Sequence, residues 1–198
     1  LEKVRGMEVL LFGPGLGDTE DTAALLEQLG PSAGCALVLD ADGLNAAAKM
    51  DALPRSPGLP LILTPHPGEM ARLCGLTTAE VNAGREGIAA GYARAEDCVV
   101  VLKGHRTIVA GPDGEVFVNP TGNPGLSRGG SGDILAGLLS GLLAAGLKQG
   151  RTAEDAAIAA VWLHGAAGDR CAKRLGMAAM LPHDIFADLG AIFAELER

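Results

Sequence analysis

TGNPGLSRGGSGDILAGLLSGLLAAG, residues 121–146, sets a glycine-crowded loop directly before an apolar helix, with one carboxylate, Asp133, at the junction. Gly129, Gly130, Ser131 and Gly132 can take turn conformations closed to larger residues, which predicts a helix start near Gly132 with Ser131 capping its orphan N–H groups. Unpaired N–H groups and about half a positive charge from the macrodipole make that end an anion site, able to stabilise a phosphoryl group without a lysine. Asp133 lies in the first turn, and its free oxygens can accept a proton from a substrate hydroxyl as that hydroxyl attacks phosphorus. A glycine-rich helix start with a stabilising acidic residue is the plainer alternative, and the loop alone leaves both open.

Outward from this loop, short apolar runs alternate with helical patterns. Strands are expected at 8–12, 36–39, 61–63, 99–102, 107–110 and 115–118, and helices at 19–29, 68–74, 78–95, 132–145, 153–174 and 182–197. That alternation predicts an α/β fold with a largely parallel sheet covered by helices. The last two strands are joined through Gly111, Pro112, Asp113 and Gly114, and Asp-Gly favours a tight turn, so they are expected as a hairpin and the sheet as mixed. With no internal repeat, low-complexity tract or long linker, residues 1–198 read as one domain. Leu1 is not an initiator, and the chain opens on an amphipathic fragment that runs almost at once into a strand, so a missing amino-terminal piece is expected.

At 198 residues, 48% hydrophobic and 20% charged, the chain has the bulk for a globular domain with a substantial core. Its net charge of -8 disfavours a nucleic-acid surface, and no basic run invites a membrane, so a small anionic ligand must be held by local dipoles. The longest apolar run, 134–147, is interrupted by Gly137, Ser140 and Gly141 and is not read as a membrane span; no signal peptide is visible. Cys35, Cys74, Cys98 and Cys171 are widely spaced, without a zinc-like pairing, and read as reduced thiols of a cytoplasmic protein.

Three polar, glycine-bearing turns each follow a strand: GPGLG at 13–17, DADGLN at 40–45 and TPHPGE at 64–69. Ligands of open α/β sheets bind beyond the carboxyl ends of the strands, so these turns are expected to rim one cleft. GPGLG is not a dinucleotide fingerprint, because Asp18 stands where GxGxxG needs its last glycine, and no Walker A loop occurs. Its glycines serve either close backbone approach to a ligand or a tight strand-to-helix turn. Pro65 and Pro67 stiffen the loop around His66 and present it to the cleft. Glu69, at the next helix start, is either a dipole partner or a carboxylate that holds hydrated magnesium near phosphates. Lys103, Gly104, His105, Arg106 and Thr107 connect the fourth and fifth strands; they suit the phosphates or ribose of a nucleotide, or else form a solvated charged turn. Asp40, Asp42 and Asn45 read as turn and cap residues before metal ligands, and HGAAGD at 164–169 as close helix packing.

Taken together and in this order, GPGLG, LVLDADGLN, LTPHPGEMARL, KGHRT, TGNPGLSRGGSGD and HGAAGD resemble the ADP-dependent NAD(P)H-hydrate dehydratase family of the ribokinase-like superfamily, from about Met7 to the end. The resemblance implies a ribokinase-like three-layer sandwich with a mostly parallel sheet. It further implies that ADP, or ATP in many eukaryotic members, phosphorylates the ring hydroxyl of hydrated NADH or NADPH (NADHX, NADPHX), with magnesium present; loss of that phosphate restores the coenzyme. ADP would yield AMP and phosphate. On the same ground Asp133 is the catalytic aspartate, and Gly17 and His66 contact the hydrated dinucleotide with it. Lys103, Gly104, His105, Arg106 and Thr107, with Gly130, Ser131 and Gly132, contact the adenine nucleotide, and Glu69 matches a position associated with magnesium. A homo-oligomer, often a tetramer, and an epimerase domain as fusion or partner are implied as well. One departure is that an amino-terminal βα region of the family, with a glycine-rich turn on the substrate side, has no match here. If the chain is complete, strands of its sheet lack neighbours, and the open edge favours association. A kinase of the same superfamily acting on a vitamin-precursor alcohol and an adenine-nucleotide-binding fragment without turnover are the competing readings. His66, Pro67, Gly68 and Glu69, together with GNPG, favour the dehydratase.

Overall fold

Within residues 4–198, which this computed structural model describes, short runs of valine, leucine and isoleucine form six strands. They are β1 (Val9–Phe12), β2 (Ala36–Leu39), β3 (Leu61–Leu63), β4 (Val99–Leu102), β5 (Ile108–Ala110) and β6 (Val116–Val118). Leu1, Glu2 and Lys3, where the amphipathic opening fragment begins, lie outside the described residues. The strands lie side by side in chain order. β1 through β4 are parallel, with Leu37 opposite Leu61 and Ile62 opposite Val99, while β5 and β6 are antiparallel additions. The mixed sheet and the 111–114 hairpin are therefore as expected, and the Gly114 N–H closes that turn on the Gly111 carbonyl at 2.9 Å.

Helices cover both faces, which is why β2 and β4 are buried at every position and read as unbroken apolar runs. Leu37, Leu39, Leu63, Val100 and Leu102 point to one side. They pack against α1 (Glu20–Ser32), α2 (Asp42–Ala47), α3 (Pro67–Cys74), α4 (Thr78–Ala83) and α5 (Arg85–Ala95). Ala36, Val38, Ile62, Val101 and Val109 point to the other, against α6 (Ser131–Lys148) and α7 (Ala153–Leu175). A satellite cluster joins Leu163, Ala167 and Cys171 of α7 to Ile185, Leu189 and Ile192 of α8 (Ile185–Leu196). The result is a three-layer α/β sandwich.

Several elements depart from expectation. The helix expected over 78–95 is two: α4 closes at Gly84, whose N–H donates to the Glu80 and Val81 carbonyls, and α5 restarts at Arg85. A short helix, α2, occupies a stretch expected only as a turn. α1 runs on to Ser32 with Pro31 in its last turn, and the final helix begins at Ile185 after a 3-10 turn over Pro182–Asp184. α6 starts at Ser131, not Gly132, and Ser131 does not cap it; the N-cap is Gly130, with φ +92° and no side-chain cap bond. Among the helices of the described residues, α6 alone is long and apolar enough to cross a membrane, and it lies instead with Leu135, Ala136, Leu139 and Leu143 buried in the sandwich.

Candidate active site

The turns after β1, β2 and β3 lie at the carboxyl edge of the sheet, and two of them meet directly. A Cβ on Gly13 (φ +129°) would collide with the Asp40 carbonyl, and one on Gly43 would stand 2.5 Å from the Phe12 carbonyl. Glycine there serves backbone against backbone. Gly17 lies outside the lining of the cavity described next, and its N–H donates to Asp42 Oδ2 at 2.8 Å.

Beside these turns is a cavity of about 700 Å³. His66, the loop of Lys103, Gly104, His105, Arg106 and Thr107, and the α6 entrance with Gly129, Gly130, Ser131, Gly132 and Asp133 all line it. The structure thus brings together every site residue expected from the sequence that faces this space, leaving out Gly17 and Glu69. At the entrance, the N–H of Ser131 donates to the Arg128 carbonyl and that of Ile134 to Gly130, while those of Gly132 and Asp133 have no acceptor among the described residues. Free donors at a helix N-terminus suit an anion. Asp133 is exposed beside them.

Lys103 is held, not free. Its ammonium donates to Asp40 Oδ1 at 2.5 Å and stands 3.8 Å from Glu69 Oε2, and a Cβ on Gly132 would be 3.6 Å from it. A half-buried cation braced by two carboxylates therefore rests against the first turn of α6 and reinforces the dipole there. Asp40, only 1% exposed, is a site residue that its turn-like sequence concealed.

His66 is the N-cap of α3: its Nδ1 accepts the N–H groups of Gly68 (2.9 Å) and Glu69 (3.2 Å), so the proton of the neutral ring resides on Nε2. Glu69 closes the box by accepting the His66 N–H at 2.7 Å through Oε2, and its Oε1 lies 3.4 Å from His66 Nε2. Glu69 Oε2 is thus engaged by a backbone N–H, while Oε1 only approaches the imidazole. No group of three or more metal-type side chains occurs among the described residues.

The far wall hangs on α7. Asn119 donates to the Val161 carbonyl at 3.1 Å and Thr121 to that of Trp162 at 3.0 Å. Asp169 accepts the Gly122 N–H and the Asn123 side-chain amide, each at 2.9 Å. HGAAGD does give close packing, since a Cβ on Gly165 would overlap Thr121 and one on Gly168 would crowd Leu126. His164 adds more: its Nε2 shares a hydrogen bond of 3.3 Å with Ser131 Oγ, and burial pushes its pKa down to about 4. Spacing had marked Asp169 and His164 only as helix residues, because their partners are distant in sequence.

An open α/β sheet with a glycine-rich helix N-terminus and an exposed aspartate at its carboxyl edge is a ribokinase-like architecture. A ribokinase-like superfamily protein from Enterococcus faecalis matches it with a TM-score of 0.79 at 30% identity, over 98% of this chain and 65% of that one. The family model described as NAD(P)H-hydrate dehydratase matches residues 1–190, and the chain belongs to that family. It is 46% identical over its whole length to the bifunctional NAD(P)H-hydrate repair enzyme of Moorella thermoacetica, spanning 37% of that protein. It is 40% identical to the ADP-dependent (S)-NAD(P)H-hydrate dehydratase of Xanthomonas campestris, over 96% of this chain and 63% of that protein. The ADP/ATP-dependent NAD(P)H-hydrate dehydratase of Bacillus subtilis, co-crystallised with ATP and Mg2+, superposes with a TM-score of 0.84 at 32% identity, over 98% of this chain and 68% of that one. The chain thus spans between about a third and two thirds of the curated relatives just named.

Proposed function

We propose that this chain is a single dehydratase domain that restores NADH and NADPH from their hydrated forms at the expense of ADP, in a cytoplasmic homo-oligomer. The observation that carries this is Asp133 beside the unpaired Gly132 and Asp133 N–H groups, in one cavity with Lys103 and His66. Asp133 takes the proton of the ring hydroxyl as its oxygen bonds to the β-phosphorus of ADP. The bond from that phosphorus to the AMP oxygen breaks, and AMP leaves. Developing charge on the transferred group falls on the α6 N–H groups, with Lys103 behind them.

Phosphate is the better leaving group. The ring nitrogen lone pair expels it as the carbon–oxygen bond breaks, and the neighbouring carbon gives up its proton to water to restore the dihydropyridine. Hydrated coenzyme and ADP become coenzyme, AMP, phosphate and a proton. Positioning and electrostatics carry most of this, and one carboxylate suffices. Magnesium bound with the nucleotide phosphates would neutralise their charge, with Glu69 as the carboxylate that would hold the hydrated ion near them.

His66 and Gly17 are assigned to the dinucleotide, and Lys103, Gly104, His105, Arg106 and Thr107, with Gly130, Ser131 and Gly132, to the adenine nucleotide. ADP is preferred to ATP on the strength of the ADP-dependent relative's name. An epimerase, fused in a longer chain or separate, is the proposed partner. The test is return of reduced-nicotinamide absorbance and release of AMP when the protein meets hydrated NADH, ADP and magnesium. Restoration abolished in Asp133→Asn supports the reading. A phosphorylated alcohol as end product would make the protein a kinase, and nucleotide binding without turnover would make it a binding fragment.

A further inference from the structure

The loop of residues 103–107 is gripped from beneath by a side chain outside every motif. Arg85, the first residue of α5, donates through one terminal nitrogen to the His105 carbonyl at 2.6 Å. Through the other it donates to the carbonyls of Leu102 at 3.0 Å and Lys103 at 3.3 Å. One guanidinium thus holds three carbonyls of a single turn. A lysine has no planar fork with which to do so.

The placement runs against local preference. Arg85 puts a cation at a helix N-terminus, where the macrodipole repels it. Its Nε is buried without a partner, and burial draws the guanidinium below its usual pKa, with Glu86 acting the other way. The helix break at Gly84 is what brings it there, since α5 begins on the next residue.

The grip decides which way the turn faces. The peptides are trans, so each carbonyl and the following N–H point in opposite directions. Fixing the Lys103 and His105 carbonyls on Arg85 turns the Gly104 and Arg106 N–H groups away from it. The first donates to Thr107 Oγ1 at 3.3 Å, and the second has no acceptor among the described residues. Gly104 (φ +145°) and Arg106 (φ +55°) both hold left-handed backbone, which Arg106 does not adopt by preference. A Cβ on Gly104 would stand 3.0 Å from the guanidinium, so glycine and arginine fit one another.

We propose that Arg85 is a positioning residue for nucleotide binding: it locks the turn of Lys103, Gly104, His105, Arg106 and Thr107 in the conformation that offers the outward Arg106 N–H to the adenine nucleotide. This rests on the assignment of that turn to the nucleotide given above. Arg85 itself touches no substrate.

The experiment compares wild type, Arg85→Lys and Arg85→Ala as full chains. ADP binding by calorimetry, thermal melting and amide hydrogen exchange at residues 104–107 are measured. Both variants are expected to keep the wild-type circular dichroism while exchange at those amides quickens and ADP binding weakens by roughly tenfold or more. In turnover the KM for ADP rises by the same factor, while kcat and the KM for hydrated coenzyme stay within about twofold. Free guanidinium ion at a non-denaturing concentration should restore ADP binding to Arg85→Ala and not to Arg85→Lys. A folded variant that binds ADP as wild type does overturns the proposal, as does a loss shared equally by both substrates or confined to kcat. If neither variant folds, Arg85 is structural and the proposal falls. A wild-type chain that binds no ADP overturns instead the assignment of the turn.

Discussion

Asp133 draws its proposed role from its surroundings, an exposed carboxylate next to N–H groups that lack acceptors. Asp133→Asn keeps the shape and removes the proton acceptor, so kcat should fall by about 10²- to 10⁴-fold with ADP binding intact, as steady-state kinetics and calorimetry would show. Asp40 is the reverse case, buried and paired with Lys103 at 2.5 Å. Asp40→Asn leaves that half-buried ammonium with only Glu69, 3.8 Å away, and should cost about 2 kcal/mol of stability in urea unfolding. Adding Lys103→Met should recover most of the loss, because the penalty comes from the unpaired charge and not from a missing contact. Both substitutions leave the sheet untouched.

At the scale of elements, α7 acts as a rail on which the far wall of the cavity is hung. Gly165→Ala drives a methyl group into Thr121; the overlap should cost about 1–3 kcal/mol and raise KM by displacing the 121–123 segment. The rail is capped at its start by Thr152 and Asp155, which exchange side-chain and backbone hydrogen bonds. Thr152→Ala should lower stability by about 1 kcal/mol without altering KM. Much of this scaffold was legible in the residues: the six apolar runs, the Asp113-Gly114 hairpin and the glycine entrance to α6 are local patterns, and local physics decides them. The Gly84 break was not, because a lone glycine is tolerated within a helical pattern and only the packing against β4 and β5 selects the kink. Nor was the true office of Ser131, since a serine before a helix reads as a cap until His164, thirty-three residues on, engages its hydroxyl. The pairing of Asp40 with Lys103 and the grip of Arg85 escaped notice for the same reason, their partners lying far along the chain.

For the whole molecule, acid should act through His164. The unfolded chain binds a proton there near pH 6.5 and the native chain only near 4, so between those values the unfolded state holds more protons and stability falls as pH falls. The loss should approach, at most, about 3 kcal/mol in urea titrations at stepped pH, and His164→Gln should flatten that limb. Glu154, raised by burial and by Asp113, Glu115 and Asp155, works in the opposite sense and remains in both proteins, so the difference between them isolates the histidine. The strict chain order of the strands has a consequence for synthesis. Each new strand can dock on the one made just before it, so the sheet is able to grow as the chain leaves the ribosome. One of its faces, however, is roofed only by α6 and α7, which are made after all six strands. Until then Val38, Ile62, Val101 and Val109 lie bare to solvent, and a nascent chain arrested before α6 would be a ready client for chaperones.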